Sequence, residues 1–338
     1  MRTAQRTRLG RVALALTAGL ALTGCAAELP QPQAQAPLAV PPPATTLEQS
    51  DRILTAIGDV LASGDAALST VELSARVSGP ALTSRAAEYA VAAATAGAQP
   101  VTPLPVQPQT LVVPNATPWP RTQLVVTEQP EDLTSPRLLV LQQQSPREPY
   151  TLWGWARLLP GAEMPAIAAP TAGAEVLAPD AAGLVATPAD VVAQYADVLL
   201  SGDGSAFAAS FANPDPYRER IATGRTTSEG IAQGTGTFTE TYAAVPDQLV
   251  ALRTADGGAI VVGGMTTTST FTLSDASLTA TPEIAAVSGG AIPAGAVLRN
   301  TLVLGYTDVV VFYVPPAGAN APIEVLGAEH TYTSASGS

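Results

Sequence analysis

One short pattern occurs twice. Asp59 to Asp65 reads DVLASGD and Asp197 to Asp203 reads DVLLSGD, 138 positions further along a chain of 338 residues. The likeness extends upstream. Ile53, Ile57, Val60 and Leu61 have the spacing of a helix face. The same offset leads to Val191, Tyr195, Val198 and Leu199, all apolar. Each candidate helix also has a start signal. Thr45 and Glu48 suit a capping box in the first copy, and Thr187 with Pro188 suits an N-cap and first helical turn in the second. Two copies of one α+β unit are therefore expected, at 46–160 and 188–333. Residues 161–187 form a Pro/Ala-rich linker between them, and 334–338 a disordered tail.

Within the repeat, Gly64 and Gly202 are expected to end a helix in a left-handed conformation. Asp65 and Asp203 would then cap a second short helix, at 66–73 or 204–211. Beyond the helices the hydrophobic period changes to two. Candidate strands are 123–127, 137–143 and 150–158 in the first copy. In the second they are 248–253, 259–263, 267–273, 298–306, 309–314 and 324–332. Asp256-Gly257-Gly258 supplies a tight turn between the first two of these. Helices followed by hairpin-spaced strands mean an α+β fold with an antiparallel sheet.

The N-terminus reads as an address. Arg2, Arg6, Arg8 and Arg11 precede an apolar run from Val12 to Leu22. Eleven residues are too few to cross a hydrocarbon core of ~30 Å as a helix and suit a secretory signal. The run ends in Leu22-Thr23-Gly24-Cys25, which resembles the bacterial lipoprotein signal. That resemblance implies cleavage before Cys25, with Leu22, Thr23 and Gly24 recognised by the peptidase and the Cys25 thiol carrying a diacylglyceryl group. Residues 1–24 are then a signal peptide. Residues 25–45 are a lipidated cysteine and a disordered tether with six prolines among residues 26–45, favouring extended polyproline II. The expected location is the cell membrane, on its extracytoplasmic face, with the lipid as membrane partner.

A long helix ending in SGD, a short helix and a curved antiparallel sheet resemble the NTF2-like (cystatin-like) superfamily. Gly202-Asp203-Gly204-Ser205-Ala206-Phe207 with Phe211 carries the resemblance best; the first copy has Ser69 and Leu73 in place of the two phenylalanines. The resemblance implies a cone in each copy with room for a pocket, and no particular chemistry. The whole chain is also similar to actinobacterial lipoproteins whose folded domain has no assigned function.

Composition narrows the chemistry. Lysine is absent, so all 16 basic residues are arginine, against 28 acids. Without a Lys there is no Schiff base, Walker-type phosphate lysine or Ser-x-x-Lys acylase. Removing the signal leaves 12 Arg and a net charge of −16, which argues against nucleic acid and anionic headgroups as partners. Cys25 is the one cysteine, and His330 the one histidine, read as an ordinary strand residue facing the cone. Neither metal nor cofactor is expected, and no catalytic residue is assigned. Glu128, Glu131 and Asp132 fall in a Pro-flanked loop. The best binding candidate is YTLWGWARL, where period two puts Trp153, Trp155 and Arg157 on one strand face as a ligand platform. The functional expectation is a non-catalytic binding or scaffolding role at the envelope. It would take a small hydrophobic or saccharide ligand or an envelope protein. The alternative is a carboxylate-dependent hydrolase of envelope polysaccharide, needing two carboxyl groups ~5–9.5 Å apart.

Overall fold

A computed structural model describes residues 41–116, 119–130, 134–274 and 276–338. The signal peptide, Leu22, Thr23, Gly24, Cys25, most of the tether, Glu131 and Asp132 lie outside the described residues. Helix α1 (Leu47–Ala67) starts at Thr46, whose hydroxyl accepts from Gln49 N while the Gln49 side chain accepts from Thr46 N. The capping box is present, one residue beyond the expected Thr45 and Glu48. Leu54, Ile57 and Leu61 form the buried stripe.

The SGD signature does different work in its two copies. Gly64 does not end α1. The helix runs on to Ala67 and stops at Leu68, which is left-handed at φ 46°. Gly64 is needed for packing instead, because a Cβ there would sit 2.7 Å from both the Leu73 side chain and the Tyr89 hydroxyl. In the second copy, α3 (Pro188–Ser201) begins at Thr187 and Pro188 and ends at Gly202, as expected, with a positive φ of 59° but a ψ of −134°, outside the left-handed helical region. Neither aspartate caps a helix. Asp65 accepts from the Tyr89 hydroxyl at 2.7 Å and faces Arg85 at 3.6 Å. Asp203 pairs with Arg218 at 2.6 Å. Both therefore tie a first helix to a second.

Those second helices are longer and later than expected. They are α2 (Gly79–Ala94) and α4 (Pro216–Ala232), preceded by 3-10 turns at Leu73–Ala75 and Ala208–Ser210. Strands β1 (Pro108–Val112), β2 (Arg121–Thr127), β3 (Arg137–Gln143) and β4 (Thr151–Leu158) follow α2. Strands β5 (Gly236–Arg253) and β6 (Ala259–Leu273) follow α4. A short ribbon of β7 (Leu278–Thr279) and β8 (Val297–Leu298), with α5 (Pro282–Val287) between, precedes β9 (Thr301–Val314) and β10 (Glu324–Gly337). Several expected strands are thus halves of one long strand. The pieces at 259–263 and 267–273 join through buried Met265 as β6.

The eight main strands form one curled antiparallel sheet in the order β1-β2-β3-β4-β10-β9-β6-β5. The fold is α+β, but its halves are not separate domains on a linker. The last strand of each half pairs with the other, Gly327 opposite Leu158 and Ala328 opposite Arg157. Each covers what would otherwise be an unpaired sheet edge.

Alternation sorts the core into layers. On one face Leu139 and Trp155 pack with Leu54 and Ile57 of α1, and Val261 and Phe312 with Val191 and Tyr195 of α3. The opposite face holds one cluster drawn from both halves, including Leu124, Leu138, Ile260, Val311 and Leu326. The first part of 161–187 covers this face, and Leu177 and Leu184 turn into the cluster on the α3 face. Ala174 is buried in its cluster, and Met164, Ile167 and Val176 pack against it. Single bridges tie Ala174 to Pro114, Val176 to Leu252 and Leu184 to Pro316. The segment read as a linker is a strap across the sheet, because apolar side chains at intervals along it seal a face that no helix covers. The expected disordered tail is likewise ordered: β10 reaches Gly337, and Ser338 N donates to Thr301 O at 3.0 Å. Val40–Ser338 is one compact unit. No helix among the described residues is long and apolar enough to cross a membrane.

Candidate ligand cleft

The proposed aromatic platform does not form. Val140 is opposite Gly154 but Leu141 is opposite Leu152, so Trp153 is the extra residue of a β-bulge. The bulge turns Trp153 into the cluster on the strap face, whereas Trp155 packs under the helices of the first half. Both rings are buried, and only Arg157, on the Trp155 face, is exposed. Glu128 is exposed at the end of β2.

The first-half concavity is filled. Arg85, on α2, is 0% exposed with its guanidinium 5.2 Å from the Trp155 ring. It donates to Glu88 and to the Thr102 carbonyl, both at 2.8 Å. Burial raises the Glu88 pKa, although the Arg85 charge acts the other way.

The second half is open at the corresponding place. Asp215 caps α4 by accepting from Tyr217 N and Arg218 N, and the Tyr195 hydroxyl donates to it at 2.6 Å. Burial raises the Asp215 pKa despite these hydrogen bonds. Only Tyr217, Ile221 and Ala232 of α4 are buried. Its middle stands off the sheet and leaves a cleft of about 310 Å³ over β5, β6, β9 and β10.

Register sets the cleft floor. Phe238 lies opposite Phe271, and Glu240 opposite Ser269, which is itself opposite Leu304. The Phe238 and Phe271 rings are 4.8 Å apart and make an apolar end with Leu304. The other end is polar. Ser269 donates to Glu240 at 2.7 Å, and Arg225 Nε meets the same carboxylate at 3.2 Å. Arg225 also donates to the Leu199 and Leu200 carbonyls, fixing the end of α3. Burial disfavours its charge, but hydrogen bonds to Tyr242 and Glu240 hold its pKa above the ordinary value. Deeper in the sheet, fully buried Asp308 accepts from Thr267 at 2.6 Å and from His330 Nδ1. The His330 ring stacks on Tyr306 at 4.2 Å. Burial, with Glu240 and Asp308 nearby, raises the Tyr306 pKa.

Asp308 orients His330 as an acidic partner orients a general base. Ser269, the hydroxyl in the same cleft, gives its proton to Glu240 instead. The polar end is thus a set of held donors and acceptors beside an apolar wall, suited to binding an amphipathic small molecule. A larger groove of about 590 Å³ runs past Val185, Phe207 and Phe211, and no charged side chain lines it. No group of three His, Cys, Asp or Glu among the described residues could hold a metal.

His330 lines the cleft, and nothing in the spacing of the sequence joins it to Asp308, Glu240 or Arg225. One signal was available. Asp308 interrupts an apolar run in β9, and an ionisable residue at such a position demands a buried partner.

A family model described as "Domain of unknown function (DUF8094)" matches residues 41–337. No curated protein and no solved structure matches the chain.

Proposed function

This chain belongs to the family of domains of unknown function designated DUF8094, and we propose that it is a non-catalytic binding protein of the cell envelope. It is held on the extracytoplasmic face of the membrane by lipid on Cys25 and takes a small amphipathic ligand into the second-half cleft. The observation that carries this reading is the asymmetry of the two concavities: Arg85 fills one, and α4 leaves about 310 Å³ over the other. A ligand's apolar part would lie on Phe238, Phe271 and Leu304, and its polar part on Ser269, Tyr306 and His330.

We also read the halves as tandem NTF2-like repeats. Support comes from their shared element order of helix, 3-10 turn, helix and four sheet strands. It also comes from the 138-residue offset, which relates Leu73 to Phe211, both buried.

The cleft is tested with the uncharged dye Nile red. The full chain should bind it saturably, and Gly224→Trp, which places a large ring over the cleft, should abolish binding without lowering stability. Undiminished binding by that variant would overturn the assignment. The anchor is tested by fractionation and acyl labelling: Cys25→Ala should leave the membrane fraction or remain unprocessed, and unchanged acylation would refute it.

A further inference from the structure

The acidic balance of the chain conceals a local concentration of cations. A second pocket, of about 430 Å³, is lined by Arg52 from α1, Arg76 beside the first 3-10 turn and Arg121 from the start of β2. Three of the 12 arginines beyond the signal thus converge, and no carboxylate is among the lining residues. Like charges repel, so such a convergence needs compensation.

The available contacts compensate it poorly. Arg52 pairs with Glu48, whose side chain is 83% exposed against 62% for Arg52, so water already screens that attraction. Arg76 Nη1 donates to the Tyr150 carbonyl at 3.3 Å. The Arg121 guanidinium lies 4.2 Å from the Trp119 ring, which holds its plane but accepts none of its N–H groups. Its Nε is buried without an acceptor. Tyr150 lines the same pocket and is 4% exposed, with its hydroxyl beside the Gln123 side chain. Three guanidinium forks thus line one space that no lining carboxylate neutralises. A tetrahedral oxyanion suits such a space, because a guanidinium fork matches its geometry.

We infer that this pocket binds a phosphate group. The rim includes Ala44 and Thr45, the last residues of the expected tether. A lipid headgroup is therefore one source of the phosphate, and a free phosphorylated solute the other.

Inorganic phosphate, titrated calorimetrically into the full chain at constant ionic strength, is the first probe. One saturable site is expected. Arg76→Gln and Arg121→Gln should each weaken it about tenfold or more, the loss of one charge-assisted hydrogen bond. Arg218→Gln, which removes an arginine paired elsewhere with Asp203, should leave it unchanged. Arg76→Lys and Arg121→Lys keep the charge and guard against loss of folding; each should retain a weakened site. Absence of a saturable site in the parent chain, or equal affinity in the glutamine variants, overturns the inference. A second arm floats the unlipidated Cys25→Ala chain with phosphatidylcholine vesicles containing phosphatidylglycerol. Flotation that Arg76→Gln abolishes identifies a headgroup, and phosphate binding without flotation identifies a free solute.

Discussion

Helices α2 and α4 hold equivalent places in the order of elements and treat the sheet beneath them in opposite ways. The sequence of α2, GPALTSRAAEYAVAAA, buries Ala81, Ser84, Arg85, Ala87, Tyr89 and Ala92. Its small residues let the helix settle close, and its one large cation fills the space that remains over Trp155. The sequence of α4, PYRERIATGRTTSEGIA, buries three residues and carries polar or glycine positions where α2 has alanine. The same layout is thus closed in one half and open in the other. What differs is side-chain volume on one helix, not topology, so the open cleft is a property of α4.

The strongest way to break this comparison is to remove the filling. Arg85→Ala deletes the cation that Glu88 and the Thr102 carbonyl share and leaves the half-buried Glu88 carboxylate without its ion-pair partner. Truncating one member of a buried pair costs about 3–5 kcal/mol, and urea unfolding should report a loss of that size. A loss under about 1 kcal/mol would mean that Arg85 does not close the first concavity.

The second half should respond less. Asp308→Asn keeps the shape of the side chain but replaces a carboxylate that accepts from Thr267 and His330. A hydrogen bond to a charged group contributes about 1.5–3 kcal/mol, so a loss of about 2 kcal/mol is expected in the same assay. Nile red binding should weaken as well, because His330 loses its orientation. Lost stability with unchanged binding would separate the Asp308–His330 pair from the cleft.

Among the described residues, burial raises the pKa of one carboxyl in each half, Glu88 in the first and Asp215 in the second. A raised pKa means that the native state keeps its proton at a pH where the unfolded chain has released it. The stability these groups contribute is therefore present at acid pH, falls as pH rises through the window just above the ordinary carboxylate range, and is gone above the folded-state values. Glu88→Gln and Asp215→Asn should each flatten part of that slope when unfolding midpoints are measured across the window. A slope unchanged in both variants would place its origin elsewhere.

How much of this was legible beforehand depended on the element. Strand β3 at Arg137–Gln143 was readable because a continuous apolar run lies between two turn signals. The start of α3 was readable from Thr187 and Pro188. Helix α4 was not, because only Tyr217 and Ile221 mark its buried face, too few for a periodic signal against a polar background. Helix α2 hid for the opposite reason: alanine on every side gives no contrast. The bulge at Trp153 shifts alternation by one residue, and no residue type announces it, so a platform that alternation predicts is divided between two faces. The cleft required cross-strand register. His330 was visible as the one histidine, but its partner lies 22 residues upstream and meets it only through the pairing of β9 with β10.

The smallest expected effect isolates the helix itself. Gly224 lies in the middle of α4, on the cleft rim, and a Cβ built there meets nothing within 4 Å. Glycine at an exposed helix interior costs roughly 0.5–1 kcal/mol relative to alanine through the conformational freedom it gives the unfolded chain. Gly224→Ala should therefore stabilise the protein by about that amount, read as a higher urea midpoint at unchanged m-value. A methyl group is too small to close the cleft, so Nile red binding should persist. The loss of binding in Gly224→Trp would then be due to volume alone. Helix α2 offers no matching site: Gly79 is its first residue, has φ 54°, and a Cβ there would meet Trp153 at 2.7 Å, so Gly79→Ala should destabilise. Destabilisation by Gly224→Ala would mean that α4 is seated close on the sheet and would remove the packing difference on which the assignment of the cleft rests.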